Sequence, residues 1–346
     1  METWKAIKIG LTIIGTTIGA GFASGREVWE FFGSYGLGSQ YSLFLANVLF
    51  LVTVMVVLNI SRIQRTKNYY GILESLMGKK LANVFDVFTM LYLLSMSVVM
   101  FAGSGATFAQ WNYSYMLGVL FIAIMVFIVL LFDVEGLVSI QTFIIPVLVG
   151  VLLFVCIRFI VNFEGPVQGA ETEAMTWPSG ITYAALNIVP LIAVLSTLGG
   201  ELKSSKEMWV AGLVSTVGLA SISMVMNYSL IKMSDEIATY EIPLFSLLQE
   251  YPTGMIAVVS IILWLAIYTT ALSGVHGIVS RVSSLIRCPA WLLSLLLIIL
   301  MIPLSQFGFS TLVSVLYPIY GVLNLFVLGL LILYPISRSF DILERK

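Results

Sequence analysis

A glycine-rich, polar stretch interrupts the first hydrophobic segment of this chain, and it constrains the fold more than any other feature. Residues Ile9 to Phe32 are mostly apolar and long enough to cross a bilayer. Their middle reads Gly15-Thr16-Thr17-Ile18-Gly19-Ala20-Gly21-Phe22-Ala23-Ser24-Gly25, followed at once by Arg26 and Glu27. Glycine weakens a helix by about 1 kcal/mol per residue relative to alanine. Inside hydrocarbon, an opened backbone persists only where it lines a protein cavity or a watery path. The segment therefore reads as part of a binding site rather than as a simple anchor.

Composition places the whole chain in the membrane. Hydrophobic residues make up 59% of the 346 positions and charged residues only 10%, against about 25% charged in a soluble domain. The mean hydropathy is +1.03. Apolar stretches near 6–32, 40–63, 81–110, 115–132, 137–162, 180–201, 208–232, 254–282, 288–303 and 311–336 predict ten α-helical spans in a single domain over 1–346. Longer loops fall at 64–80, 163–179 and 233–253. A net charge of −1 argues against nucleic acid as a partner. Cys156 and Cys288 are isolated and predict neither a disulfide framework nor a metal site. No cleavable signal is expected, because the first span carries Arg26 and Glu27 and lacks a small-residue cleavage site.

Basic residues set the orientation. With the N-terminus in the cytoplasm, the inner side receives Lys5, Lys8, Arg62, Arg65, Lys67, Lys79, Lys80, Lys203, Lys206, Arg281, Arg287, Arg338, Arg345 and Lys346. The outer side receives Arg26, Arg158 and Lys232. Fourteen against three predicts both termini in the cytoplasm of a bacterial cell, with the protein in its plasma membrane.

The second half repeats the first with inverted topology. An offset of 171 positions pairs Leu73 with Leu244, Ser75 with Ser246, Leu76 with Leu247, Val87 with Val258, Leu94 with Leu265 and Gly103 with Gly274. Each match joins an amphipathic loop segment to an unusually long span. Five spans per half is an odd number, so the repeats, about 5–162 and 180–336, must face opposite ways. The same offset carries Gly15–Gly21 onto Leu186–Ile192, which holds Asn187 and Pro190. Proline removes a backbone donor and clashes with the preceding turn. The sixth span is thus expected to break where the first does, near Asn187–Leu191.

Five-plus-five inverted spans with breaks in the first and sixth resemble the amino acid–polyamine–organocation superfamily and its LeuT-type fold. Within it, the stretch from Ile14 to Phe32 is similar to the opening of the YkvI-type bacterial membrane proteins. The resemblance covers essentially the whole chain. It implies an all-α polytopic protein with discontinuous helices 1 and 6, binding a small solute at those breaks.

A broken span offers free amides at one half-helix and free carbonyls at the other. Carried over from the superfamily, Gly19, Ala20 and Gly21 present amides to an anionic group of the solute. Gly15 and Ile18 present carbonyl oxygens to a sodium ion. Thr17, Phe22, Asn187, Ile188 and Leu191 complete the expected solute-binding set, with Ser95, Ser97 and Phe101 as further lining candidates. Close helix packing by small residues also fits these glycines. In the eighth span, Ala266, Thr269 and Thr270 share one helix face, and sodium-coupled members of the superfamily carry this spacing at their sodium site. Two threonines bonded back to their own helix also fit it. Arg26, Glu27, Glu201 and His276 are candidates for gating or proton coupling. Lys203 and Lys206 close the sixth span beside Glu201.

These readings converge on a secondary active transporter of a small organic solute, an amino acid favoured, working by alternating access with sodium coupling. Two alternatives stay open: proton coupling, and a non-transporting receptor of the same fold such as the germinant receptors. No nucleophile–base pair, metal cluster or phosphate-binding loop supports an enzyme, and no cofactor is expected beyond a coupling ion. The expected partners are the solute and the lipid bilayer.

Overall fold

In a computed structural model, residues 2–66, 69–131, 137–164, 176–237, 239–283 and 288–344 are described, with the side chains of all but 2–3, 137–143, 197 and 336–344. The helices run α1 (Glu2–Thr17), α2 (Ala20–Ala23), α3 (Arg26–Phe31), α4 (Ser39–Gln64), α5 (Tyr69–Gln110), α6 (Tyr115–Leu131) and α7 (Leu137–Asn162). The second half holds α8 (Trp177–Leu186), α9 (Ile188–Leu198), α10 (Ser205–Ile231), α11 (Ser234–Ile237), α12 (Thr253–Ser283), α13 (Ala290–Ser305) and α14 (Phe309–Glu344). No strand occurs among the described residues.

Among the described residues, seven segments are long and apolar enough to cross a membrane: α4, α5, α7, α8 with α9, α10, α12 and α14. Two more, α6 and α13, are apolar but shorter. The expected first span is divided into α1, α2 and α3. Large apolar side chains such as Phe44, Ile124, Ile261 and Ile299 lie exposed on the outside of the bundle. A helix apolar on its outer face suits hydrocarbon rather than water.

Small residues let the helices close on one another. A Cβ on Gly118 of α6 would stand 2.5 Å from the Ser104 carbonyl of α5, and one on Gly321 of α14 would stand 2.7 Å from the Thr182 carbonyl of α8. Such approach is how membrane helices gain contact where no water drives them together. The repeat-related pair Gly103 and Gly274 works reciprocally. A Cβ on Gly103 of α5 would meet Ile267 of α12 at 3.3 Å, and one on Gly274 of α12 would collide with Ser97 of α5.

The two loop segments matched by the repeat differ in form. Tyr69–Met77 is helical and forms the first part of α5, set off by a kink at Gly78, whose φ of 75° suits glycine alone. Its counterpart Pro243–Leu248 is a 3₁₀ turn, with Pro243 at its start. Part of the predicted loop 163–179 lies outside the described residues, as do Lys67, Arg287, Arg345 and Lys346 of the charge count.

Candidate functional site at the broken first span

The first span leaves the helix at Ile18–Gly19, inside the predicted window, and again at Ser24–Gly25. Gly19 is extended, with φ −80° and ψ −179°. Its amide folds back to the Thr17 carbonyl at 2.9 Å. Among the described residues, no hydrogen bond uses the amides of Ala20, Gly21 and Phe22 or the carbonyls of Gly15 and Ile18. The family resemblance assigned the amides of Gly19, Ala20 and Gly21 to the solute and the carbonyls of Gly15 and Ile18 to the ion; of these the Gly19 amide is taken by Thr17, and the Phe22 amide is free in addition. Gly25, with φ 78°, makes the second bend, and the Ser24 hydroxyl accepts from the Arg26 amide at 3.2 Å.

The sixth span differs from its expectation. Rather than unwinding over Asn187–Leu191, the chain bends at Asn187 alone and keeps helical angles there, φ −78° and ψ −5°. The Asn187 amide still reaches the Tyr183 carbonyl at 3.4 Å, and the Leu191 amide reaches the Asn187 carbonyl at 3.2 Å. The cause is chemical. Pro190 removes one donor, for the Leu186 carbonyl, but its fixed φ suits the first turn of α9. Residues 186–192 contain no glycine to open the chain further.

The two interruptions are neighbours. Helix α1 packs on α9 and α3 on α8. Tyr183 of α8 meets Phe31 and Phe32 edge-on, with ring centroids 5.3 and 4.9 Å apart. The Ser179 hydroxyl donates to the Phe31 carbonyl.

Other candidates divide. Phe22, Ile188 and Leu191 are buried at this junction. Thr17 is buried, but its hydroxyl donates to the Ile13 carbonyl at 3.0 Å. Asn187 donates Nδ2 to the Tyr183 carbonyl at 3.0 Å, leaving its oxygen as an acceptor. Ser95 pairs with Tyr320 at 2.7 Å, Ser97 donates to the Leu93 carbonyl, and Phe101 is buried. In α12 the Thr269 and Thr270 hydroxyls donate to the Ala266 carbonyl at 3.1 and 2.8 Å. The back-bonded pattern is therefore present. Helix α12 packs against α2, beside the break.

Arg26 pairs with Glu30 at 2.6 Å. Glu27 is buried, facing Tyr183 from α8 and Tyr317 from α14. His276 is exposed on α12 and forms no hydrogen bond among the described residues. Glu201 pairs with Lys5 of α1 at 3.1 Å, each about half exposed. The two line a cavity of about 600 Å³ with Arg62, Arg65 and Lys203. The Lys203 amide donates to Glu207 at 2.7 Å.

Two features escaped the sequence. Tyr183 and Tyr317 stand beside Glu27 from two helices, with Tyr92 of a third within range of its charge, and only their polar tips at mid-span marked them out. Arg281 of α12 binds Asp86 of α5 through two nitrogens, with the Tyr69 hydroxyl on the other carboxylate oxygen at 2.5 Å. Opposite charges within two spans already paired by the repeat were the available signal. On the expected outer side, every residue of Pro243–Leu248 is buried, and the Leu244 amide donates to the Ser24 carbonyl at 2.9 Å.

Comparison with known proteins places this geometry. No family model matches the chain. It is 38% identical over 334 residues to the uncharacterized protein YyaD of Bacillus subtilis strain 168, covering 96% of this chain and 98% of that one. It is 25% identical over 339 residues to the uncharacterized membrane protein YkvI of the same organism, covering 95% of each. Among solved structures, it is similar to MhsT in complex with L-phenylalanine, with TM-score 0.63, 14% identity, and 93% of this chain and 87% of that one covered. A Na⁺-coupled sialic acid symporter in a substrate-bound outward-open state matches with TM-score 0.59, 13% identity, and 94% and 77% covered. These likenesses show the LeuT fold of a multi-pass membrane protein.

Proposed function

This chain belongs to the bacterial membrane-protein family of YyaD and YkvI, and we propose that it is a secondary active transporter of a small organic solute. The favoured cargo is an amino acid, moved by alternating access and coupled to sodium in preference to protons. It works in the plasma membrane with both termini in the cytoplasm.

One observation carries the reading. Gly19 has a φ that any residue adopts, and nothing stands within 4 Å of where its Cβ would be. Neither backbone strain nor packing accounts for a glycine here. Close approach of a ligand to bare backbone does. The unpaired amides of Ala20, Gly21 and Phe22 then face a solute carboxylate, and the Gly15 and Ile18 carbonyls, with Ala266, Thr269 and Thr270, supply oxygens to sodium. Pro243–Leu248 acts as the outer lid, and the Lys5–Glu201 pair joins the inner ends of the first and sixth spans.

The test is a thermal-shift screen of the purified protein against the twenty amino acids, with sodium or choline, followed by flux in liposomes. Binding to the native state raises the midpoint by mass action. Sodium-dependent stabilisation with flux is the expected result. Binding without flux in either cation replaces the transporter by the receptor.

A further inference from the structure

Glu27 sits on α3 with only 6% of its surface exposed. A buried carboxylate is costly unless a cation or a set of donors compensates it. The adjacent Arg26 is taken, because its guanidinium pairs with Glu30 at 2.6 Å. Among the described residues, no lysine, arginine or histidine forms an ion pair with Glu27.

Two tyrosines from two helices face it, Tyr183 of α8 and Tyr317 of α14, and Tyr92 of α5 lies within range of its charge. All three are buried. The Tyr183 and Tyr317 hydroxyls have no hydrogen-bond partner among the described residues. Tyr183 lies beside the Glu27 carboxyl without making an aligned hydrogen bond. Around Gly21 the convergence is tight. A Cβ there would stand 2.6 Å from Tyr317 Oη and 2.9 Å from Glu27 Oε2. The carboxyl and one unpaired hydroxyl thus press on the same bare backbone of the break.

We propose that Glu27, Tyr183 and Tyr317 form a subsite for a primary ammonium group of the solute. The inference deepens the transporter reading and rests on it for the solute's passage, though not for its binding. A primary ammonium carries three N–H donors. The carboxylate and the two unpaired hydroxyls offer three matching acceptors. The subsite narrows the solute to compounds bearing an amine, with the free amides of the break left for a carboxylate.

The experiment uses the purified full-length protein and ethylammonium, tetramethylammonium, sodium and potassium chlorides at fixed ionic strength and pH. Thermal midpoints are read for wild type, Glu27→Gln and Tyr317→Phe. Ethylammonium should stabilise wild type saturably, and potassium should not. Tetramethylammonium, which has no N–H donor, should act more weakly. Glu27→Gln should lose about 10- to 100-fold in ethylammonium affinity, and Tyr317→Phe should lose a few-fold. Equal midpoints for wild type in ethylammonium and potassium overturn the subsite, as does unchanged affinity in Glu27→Gln. A Glu27-dependent rise with sodium alone, or with pH alone, also overturns it, in favour of an alkali ion or a proton. If Glu27→Gln does not fold, the wild-type and Tyr317→Phe titrations decide.

Flux of an amino acid mixture into liposomes separates the two readings. Glu27-dependent ethylammonium binding without flux leaves the subsite standing and removes the transporter. Flux unchanged in Glu27→Gln, with no ethylammonium effect, does the reverse.

Discussion

In the first span the backbone leaves the helix at Gly19 and bends again at Gly25; in the sixth it bends once, at Asn187, and never leaves helical angles. The first break strands three amides, whereas the bend in the sixth keeps its flanking amide bonds at 3.4 and 3.2 Å. Glycine removes the side chain and frees the backbone. Proline removes one donor and holds φ where a helix wants it. The first span is therefore built to expose backbone, and the sixth to present side chains, chiefly Tyr183 and Asn187, against it. The inverted repeat supplies two equivalent positions, and the residue types placed there divide the work.

The largest expected effect breaks this comparison at Gly19. Gly19→Leu places its Cβ where nothing stands within 4 Å, so the protein should fold with a thermal midpoint close to that of wild type. Solute affinity should fall by more than about 100-fold, because backbone approach is blocked. Gly21→Leu should also lose binding, but with about 1–3 kcal/mol of destabilisation, because its side chain meets Tyr317 and Glu27. Wild-type affinity in a folded Gly19→Leu variant would remove the site from the first span.

The next effect tests the sixth span. Pro190→Ala restores a donor for the Leu186 carbonyl and should straighten the Asn187 bend. Stability should rise by about 1 kcal/mol, less than the full cost of a mid-helix proline, since Pro190 lies in the first turn of α9. Solute affinity should fall about tenfold as Tyr183 and Asn187 shift. Chemical denaturation and ligand titration of the same sample read both. A fall as deep as that of Gly19→Leu would mean that the two spans do not divide the work as stated.

The contrast also explains what was legible in the sequence. Both interruptions were, because glycine and proline act locally and the repeat offset linked them. The correspondence of α5 with α12 was legible through Gly103 and Gly274, although their contact was not. The burial of Glu27 was not. The left-handed turn at Gly25 rotates α3 so that Glu27 points inward while Arg26 turns to Glu30, and a glycine in a glycine-rich stretch does not announce its φ. The tyrosines escaped for another reason. Tyr92, Tyr183 and Tyr317 are far apart in sequence, and an aromatic residue in a membrane helix is ordinary packing until its neighbours are known. The extent of unwinding in the sixth span was overestimated because symmetry of position does not carry symmetry of residue type.

Sodium gives a smaller, sharper test of the carbonyls exposed by the first break. Thr270→Val keeps the side-chain shape and removes one oxygen. Sodium affinity should weaken about tenfold, the worth of one contact of about 1.4 kcal/mol. The fold should lose no more than about 1.5 kcal/mol from the missing bond to the Ala266 carbonyl. Solute and sodium should strengthen each other by equal factors, because equilibrium coupling is reciprocal. Solute titrations with sodium replaced by choline measure both. An affinity indifferent to sodium in wild type would remove the coupling claim.

The smallest expected effect lies where the two broken spans meet again, at Lys5 and Glu201. Both side chains are about half exposed, so their attraction is screened and the pair adds at most about 1 kcal/mol to stability. Its consequence should appear in the balance between states rather than in unfolding. The pair ties the start of α1 to the turn that follows α9, so any motion that separates these ends must break it. Glu201→Gln should leave the denaturation midpoint nearly unchanged and raise labelling of a cysteine placed at Ala193, an exposed position on α9, by a few-fold. High salt should produce the same rise in the Ala193→Cys protein and no further rise after Glu201→Gln, because screening and substitution remove the same attraction. Equal labelling in both proteins at every salt concentration would show that the inner halves of the first and sixth spans move as one body. The difference between the two breaks would then be one of chemistry alone, with no mechanical part in opening the inner side.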